Sequence, residues 1–298
     1  MNHLTLRSVV RNRESEWAVI LAGGDGTRLK SLTRTIAGDE RPKQFCSVLG
    51  KVTLLEETRA RAALELARER TLYVVNRIHE PYYGPILGNE PASNLVVQPS
   101  NRGTAPAILY SLLRIAAVDP HAVMAFLPSD HYISDNEKFM AHIRVALDTA
   151  RRRPDLVILL GLDPESPEVE YGWIEPAEPI RDQSRVYSVR RFWEKPNQLL
   201  AQVLQLRGCL WNSFVMVASV QALLGIVESA IPQLYTSFVE LAPPSNWRTN
   251  EPSMWLTASM NRTMPRFWEM SRRAISSCNP AIAAPHRQFF IACCESPR

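Results

Sequence analysis

The sequence predicts an α/β fold built on a doubly wound, mostly parallel sheet. Two observations predict it. Five short apolar, β-branched runs occur at residues 17–21, 72–76, 95–98, 123–127 and 156–161, without polar alternation. Such continuous runs suit strands covered on both faces. Helix-length stretches alternate with these runs. Strand–helix–strand alternation is the pattern of a parallel sheet with helices on both sides.

The elements follow in order. "WAVIL" opens the series at Trp17. The stretch after it, "AGGDGTRLKSLTRTIAGDERPKQF", carries glycines, cations and few apolar side chains, and reads as one long loop. Loops of that length usually carry function. "TLLEETRARAALELA" (53–67) reads as a helix with Thr53 as N-cap and Glu56 at capping-box spacing. "TAPAILYSLLRIAAV" (104–118) places Pro106 in a first helical turn, where proline is tolerated. Residues 135–153 read as a helix capped by Asp135, with "RRR" (151–153) as its solvated end, where cations suit the helix dipole. Beyond Gly161, "YGWIEP", "RVYSVRRFWEKP" and "LWNSFVMVAS" read as strands crossing the top of the sheet, followed or separated by helices near 197–206 and 219–241. The organisation expected is an N-terminal arm (1–16), a main domain (17–240) and an atypical segment (241–298) with weak periodicity and no strand pattern.

Composition narrows the class. With 46% apolar and 21% charged residues, the chain is ordinary for a soluble globular protein. The five cysteines are scattered and form no CxxC pair. Disulfides and a structural zinc are therefore not expected, and a reducing cytoplasm fits. Residues 1–16 lack the apolar core of a signal peptide, and no apolar run reaches the ~20 residues of a membrane span. Residues 241–298 hold seven arginines and no lysine against three glutamates, which accounts for the whole net charge of +4. The main domain is thus neutral, without the basic, aromatic-interleaved stripe of a nucleic-acid surface.

Ligands of doubly wound sheets bind outside the carboxyl ends of strands. "AGGDGTRL" stands there. Gly23, Gly24 and Gly26 let the backbone turn and approach a ligand, with amides free to face phosphate oxygens. Arg28 and Lys43 are cations on the same segment, and the set describes a nest for a polyphosphate. It is not a GxGxxG dinucleotide turn, since no third glycine follows Gly26, and no Gly-Lys pair makes it a P-loop.

"LAGGDGTRL…RPKQF" resembles the signature of sugar-1-phosphate nucleotidyltransferases, in particular the mannose-1-phosphate guanylyltransferases. Further blocks resemble that family in order: "QPSNRGTAPAI" (98–108), "LPSDH" (127–131), "YGWIE" (171–175), "RFWEKP" (191–196) and "LWNS" (210–213). The resemblance spans about residues 17–240 and implies a Rossmann-like fold of the nucleotide-diphospho-sugar transferase type. It also implies Mg²⁺-dependent transfer of a nucleotidyl group from a nucleoside triphosphate to a sugar-1-phosphate. The resemblance favours GTP and mannose-1-phosphate. A homodimer is admitted, not required.

By this resemblance Arg28 and Lys43 are catalytic, holding the triphosphate and the α-phosphate region. Ala22, Gly23, Gly24, Gly26, Thr27, Gln98, Gly103 and Thr104 bind the nucleotide. Gly172, Glu175, Glu194, Lys195 and Asn212 bind the sugar phosphate. Asp130, at the end of a strand, is placed for Mg²⁺. Trp173, Trp193, Trp211, His79, Tyr82, Tyr83 and His131 read as structural.

Three departures stand out. Gln98 replaces the family's glutamate, and an amide suits the mixed donor and acceptor edge of thymine or uracil. Phe214 stands where the family has glycine after WNS. Asp182 is the last aspartate, so the family's second metal-binding Asp has no counterpart; Glu228, Glu240 and Glu251 are the acidic residues available. The alternative reading is a nucleotide-sugar-binding protein of the same fold without turnover.

Overall fold

The computed structural model describes residues 15–48, 50–180, 186–241 and 289–294. Nine strands form one sheet, in the order β3-β2-β1-β4-β8-β5-β9-β7-β6. They are β1 (Glu16–Leu21), β2 (Thr71–Asn76), β3 (Leu95–Gln98), β4 (Val123–Pro128), β5 (Val157–Leu162), β6 (Trp173–Pro179), β7 (Val186–Trp193), β8 (Leu210–Ser219) and β9 (Phe289–Cys294). The helices are α1 (Lys30–Ala37), α2 (Leu54–Ala62), α3 (Glu80–Leu87), α4 (Thr104–Val118), α5 (Asn136–Arg152), α6 (Gln198–Leu206), α7 (Val220–Ala230) and α8 (Pro232–Leu241).

The five apolar runs become β1 to β5. β1 to β4 pair in parallel. β8 lies antiparallel between β4 and β5 and so keeps β5 in the common direction. The β6–β7 hairpin is antiparallel and extends the same sheet. These late strands do not cross the top of the sheet; β8 completes its centre, and the sheet as a whole is mixed. The segment beyond residue 240 also supplies a strand, β9, between β5 and β7. Of the N-terminal arm, residues 1–14 lie outside the described residues.

Alternation along each strand sends side chains to two cores. Ala18, Ile20, Tyr73 and Val75 pack on one face with Leu55 of α2 and with Phe139, Ile143 and Leu147 of α5. Trp17, Val19, Val74 and Phe126 pack on the other with Leu112 and Ile115 of α4 and Leu223 of α7. α8 seals α4 through Leu109, Leu234 and Phe238. The sheet is thus wound with helices on both sides.

Local signals place several helix ends. Thr53 Oγ1 accepts from Glu56 N while Thr53 N donates to the Glu56 carboxylate, the full capping box. α2 nevertheless ends at Ala62, short of the expected residue 67. Asp135 caps α5 by accepting from Lys138 N. The expected helix over 219–241 is two helices, broken at Ile231–Pro232 with a bend of 114°, because proline cannot donate to the preceding turn. Among the described residues no single helix is long and apolar enough to cross a membrane. Cys46 and Cys209 are buried and free.

The loop after β1 is less irregular than its composition suggests. Lys30–Ala37 forms α1, closed by Gly38 at φ 79°. Its only buried residue is Thr33, while Leu32 and Ile36, at helical spacing, stay exposed, so the helix does not dock an apolar face on the core.

A buried ion cluster fastens β1 to the helices. Arg144 of α5 donates from Nη1 to both Glu16 oxygens at 2.8 Å and from Nε to Glu65 at 2.9 Å. Arg151 also meets Glu16, so the first arginine of the expected solvated end is half-buried in this cluster. Glu16 is 2% exposed. Removing one partner of such a cluster strands buried charge. Glu16→Ala should therefore lower the unfolding free energy by about 3 kcal/mol, read by urea denaturation; a loss within experimental error would show the arginines rehydrating freely.

Candidate functional site

The site lies at the carboxyl ends of β1, β3 and β4, where the first loop turns back on itself. Ala22 N donates to Val74 O at 2.8 Å, extending the β1–β2 pairing one residue past the strand. Gly23 lies against the end of β3: a Cβ there would meet Gln98 Nε2 at 3.0 Å. Gly26 has φ 58°, and a Cβ on it would press on Pro42 Cα and Lys43 N at 3.3 Å. Only glycine accepts both the left-handed backbone and that approach. Thr27 then opens a 3-10 turn, Thr27–Leu29. Arg28 lies in that turn, and its side chain lies outside the described residues.

Lys43 begins a second 3-10 turn, Lys43–Phe45. Gln44 fastens this turn to the first loop. Its Nε2 donates to Ala22 O at 3.0 Å and to Gly24 O at 2.8 Å. Phe45 anchors the turn in the core at 1% exposure. Lys43 is thereby held beside the glycines despite the intervening helix.

Gln98 ends β3 in parallel register with Asn76 and is buried. Gly103, at φ 86°, stands at the N-cap of α4, and Thr104 opens the helix. Asp130 follows β4. Ser129 pins that turn by donating from Oγ to Leu21 O at 2.7 Å. The Asp130 carboxylate is about half exposed, with His131 Nε2 3.7 Å away. Loss of solvent holds His131 below the usual histidine range; Asp130 opposes that shift, and the charges of Lys43 and Arg61 reinforce it. Among the described residues no three His, Cys, Asp or Glu side chains gather as a metal cage. One half-exposed carboxylate suits Mg²⁺, which keeps waters and takes substrate phosphate oxygens.

The antiparallel pairing of β8 with β4 brings the start of β8 to this same end of the sheet. There Asn212 N donates to Gly172 O at 2.7 Å. A Cβ on Gly172 would meet Phe192 Cζ at 2.7 Å and Glu194 Oε2 at 3.4 Å. Gly172, Glu194 and Asn212 thus come together. Lys195 follows at φ 42° with Nζ 3.8 Å from Glu170. Glu175 is set apart. Trp173 pairs with Trp193 and Glu175 with Arg191, so strand alternation puts Glu175 on the tryptophan side, with its carboxylate 3.7 Å from Arg190. The expected sugar-binding set is therefore split across the sheet.

The tryptophans form walls, as the sequence suggests. Trp173 is fully buried and meets Trp211 edge-on at 6.2 Å, and Arg191 caps the Trp193 ring at 3.8 Å. Glu228 and Glu240 lie exposed on α7 and α8. Sequence reasoning missed Gln44, Ser129, Asp25 and Asn101. Gln44 lay inside the quoted "RPKQF", and an amide next to the apolar Phe45 was the available signal.

A family model described as Nucleotidyl transferase matches residues 17–229. The chain belongs to the nucleotidyl transferase family. It is 32% identical over 210 residues to a mannose-1-phosphate guanylyltransferase of Escherichia coli, covering 68% of this chain and 44% of that protein. It is 29% identical over 220 residues to the alginate biosynthesis protein AlgA of Pseudomonas syringae, covering 73% of this chain and 44% of that one. The chain thus spans less than half the length of these relatives. Its fold is similar to a structure described as mannose-1-phosphate geranyltransferase from Thermus thermophilus, with TM-score 0.69, 26% identity, and coverage of 93% of this chain and 74% of that one.

Two outcomes follow from the geometry. Phe214 adopts φ 60°, and its N–H donates to Asn212 Oδ1 at 3.1 Å. Left-handed backbone costs a side-chain-bearing residue roughly 1–2 kcal/mol. Phe214→Gly should thus be about 1 kcal/mol more stable than Phe214→Ala, both having lost the ring; equal values in denaturant would show the backbone at position 214 relaxing.

The second concerns His79, which is buried beside Phe45. Burial lowers its pKa, and Asp25 opposes that shift. The unfolded chain then binds more protons between the two values. His79 stabilises fully above its unfolded value of about 6.5, and that contribution is lost as pH falls through the window below it. Thermal scans from about pH 7.5 to about pH 5 should show a falling Tm, with a shallower fall in His79→Gln. The same slope in both proteins would assign the loss elsewhere.

Proposed function

We propose that this chain catalyses Mg²⁺-dependent nucleotidyl transfer from a nucleoside triphosphate to a sugar-1-phosphate. GTP and mannose-1-phosphate are the pair favoured by the guanylyltransferase relatives. The observation that carries the reading is the Gln44 tie, which sets Lys43 beside the glycine loop.

In this reaction an oxygen of the sugar phosphate attacks the α-phosphorus, the bond to the β-phosphate bridging oxygen breaks, and pyrophosphate leaves with the electron pair. The nucleophile is already an anion, so no general base is required. Catalysis then rests on positioning and charge neutralisation. Amides of Gly23 to Thr27 face the phosphates, and Ala22, whose own amide pairs with Val74 O, anchors the start of that run. Arg28 holds the leaving pyrophosphate through its guanidinium fork. Lys43 stabilises charge gathering at the α-phosphate. Gln98, with Gly103 and Thr104, reads the base. Gly172 lets the sugar approach, Glu194 and Asn212 hydrogen-bond its hydroxyls, and Lys195 meets its phosphate. Glu175 acts through the wall behind them. Asp130 would hold Mg²⁺, which supplies positive charge to the triphosphate when bound. A reducing cytoplasm suits the free cysteines.

Pyrophosphate release with Mg²⁺ tests this, using GTP, dTTP, UTP, ATP and CTP against mannose-1-phosphate and glucose-1-phosphate. Release is expected, greatest with GTP and mannose-1-phosphate. Lys43→Ala and Asp130→Ala should each lower kcat by about 100-fold or more while circular dichroism stays unchanged. Preference for dTTP or UTP would assign the base choice to the Gln98 amide. Nucleotide-sugar binding by folded protein with no release across the panel would replace catalysis by binding alone, the reading favoured by the absence of any aspartate after Asp182.

A further inference from the structure

The phosphate loop and the base-reading loop touch at two points. The inner one is Gly23 against Gln98. The outer one is a side-chain bridge: Asn101 Nδ2 donates to Asp25 Oδ2 at 2.8 Å. The other end of the same amide is also engaged, since Gly103 N donates to Asn101 Oδ1 at 2.9 Å. Asn101 therefore shapes the turn that carries Gly103 at φ 86° into α4 while it grips the phosphate loop. The second oxygen of Asp25 faces His79 Nε2 at 3.5 Å, from the turn after β2. One carboxylate thus joins segments following three neighbouring strands, β1, β2 and β3.

We propose that Asp25 and Asn101 form a latch that holds the phosphate loop at a set distance from the base-reading loop and so preorganises the nucleotide pocket. The inference rests on the functional reading above and deepens it: these are positioning residues for the nucleoside triphosphate, not catalytic ones. The bridge is partly exposed, so it adds little to global stability. Its effect is on binding. Gly24 has open space where a Cβ would stand, and the glycines leave the loop many conformations to lose when a ligand arrives. A latch made beforehand removes part of that ordering cost. Asp25 is the one carboxylate in a segment built for anions, and engaging it with Asn101 directs its charge away from the phosphates.

The partners can be exchanged chemically. Asn101→Asp keeps the acceptor for Gly103 N and sets two carboxylates against each other. Asp25→Asn in that background restores one donor and one acceptor with the roles reversed. Calorimetric titration with GTP and dTTP, and steady-state kinetics with Mg²⁺, separate the outcomes. Asn101→Asp should weaken nucleotide binding about tenfold, raise the nucleotide KM far more than it lowers kcat, and leave Tm nearly unchanged. The double variant should recover to within about threefold of wild type. Unchanged nucleotide affinity in Asn101→Asp, or no recovery in the double variant, would overturn the latch while leaving the functional reading standing. Wild-type protein that binds neither nucleotide would overturn that reading and the latch with it.

Discussion

The site depends on one buried amide. Gln44 donates to the carbonyls of Ala22 and Gly24 and so turns two stretches of chain into one surface. Each bond contributes only about 1 kcal/mol net, but losing the amide leaves both carbonyls short of a partner where water has limited access. Everything downstream follows from that contact. Gly26 must be glycine because Pro42 lies against it. Lys43 faces the glycine loop because Gln44 and Phe45, the next two residues, are pinned. α1 and its flanking turns become an excursion whose length costs little loop-closure entropy once the ends are joined.

The electrostatics of the site agree with chemistry that moves no proton on the protein. The histidine nearest the proposed metal carboxylate is kept toward its neutral form, chiefly by loss of solvent. Lys43 reinforces that neutrality. The Asp130 carboxylate beside it is about half exposed, open to a hard cation that keeps part of its water. The second histidine, His79, is likewise shifted toward neutrality by burial. Fixed charge and fixed donors are what transfer between phosphate anions requires.

Much of the fold was legible in the sequence because its signals are local. Buried parallel strands need apolar runs, and those at 72–76, 95–98 and 123–127 match β2, β3 and β4 within one residue. The Thr53–Glu56 capping box needs only four residues to declare itself. α1 was illegible because it is only eight residues long, set among glycines and charged residues, and its apolar residues Leu32 and Ile36 stay exposed. The place of β8 was illegible because two equally apolar runs give no clue to which strand will lie between them. In the site, the glycine loop with its two cations could be picked out from residue types, whereas Gln98 and the Gly172–Glu194–Asn212 group came from the resemblance of their blocks to the nucleotidyltransferases. The separation of Glu175 could not, since it turns on strand register. The Asp25–Asn101 contact could not either: it joins polar residues 76 positions apart, and no local pattern announces such a pair.

The interposed strand β8 also has a consequence for synthesis. β4 pairs with β1 on one side and with β8 on the other. When β1 to β4 have left the ribosome, the far edge of β4 still has no strand to meet. α5, β5, β6, β7 and α6 must all be made before β8 arrives, a wait on the order of 10 s at usual elongation rates. Through that interval an apolar strand edge offers unpaired backbone groups to any neighbouring chain. A nascent polypeptide of this design would gain from a chaperone acting after β4, and from slow codons beyond β8 rather than before it.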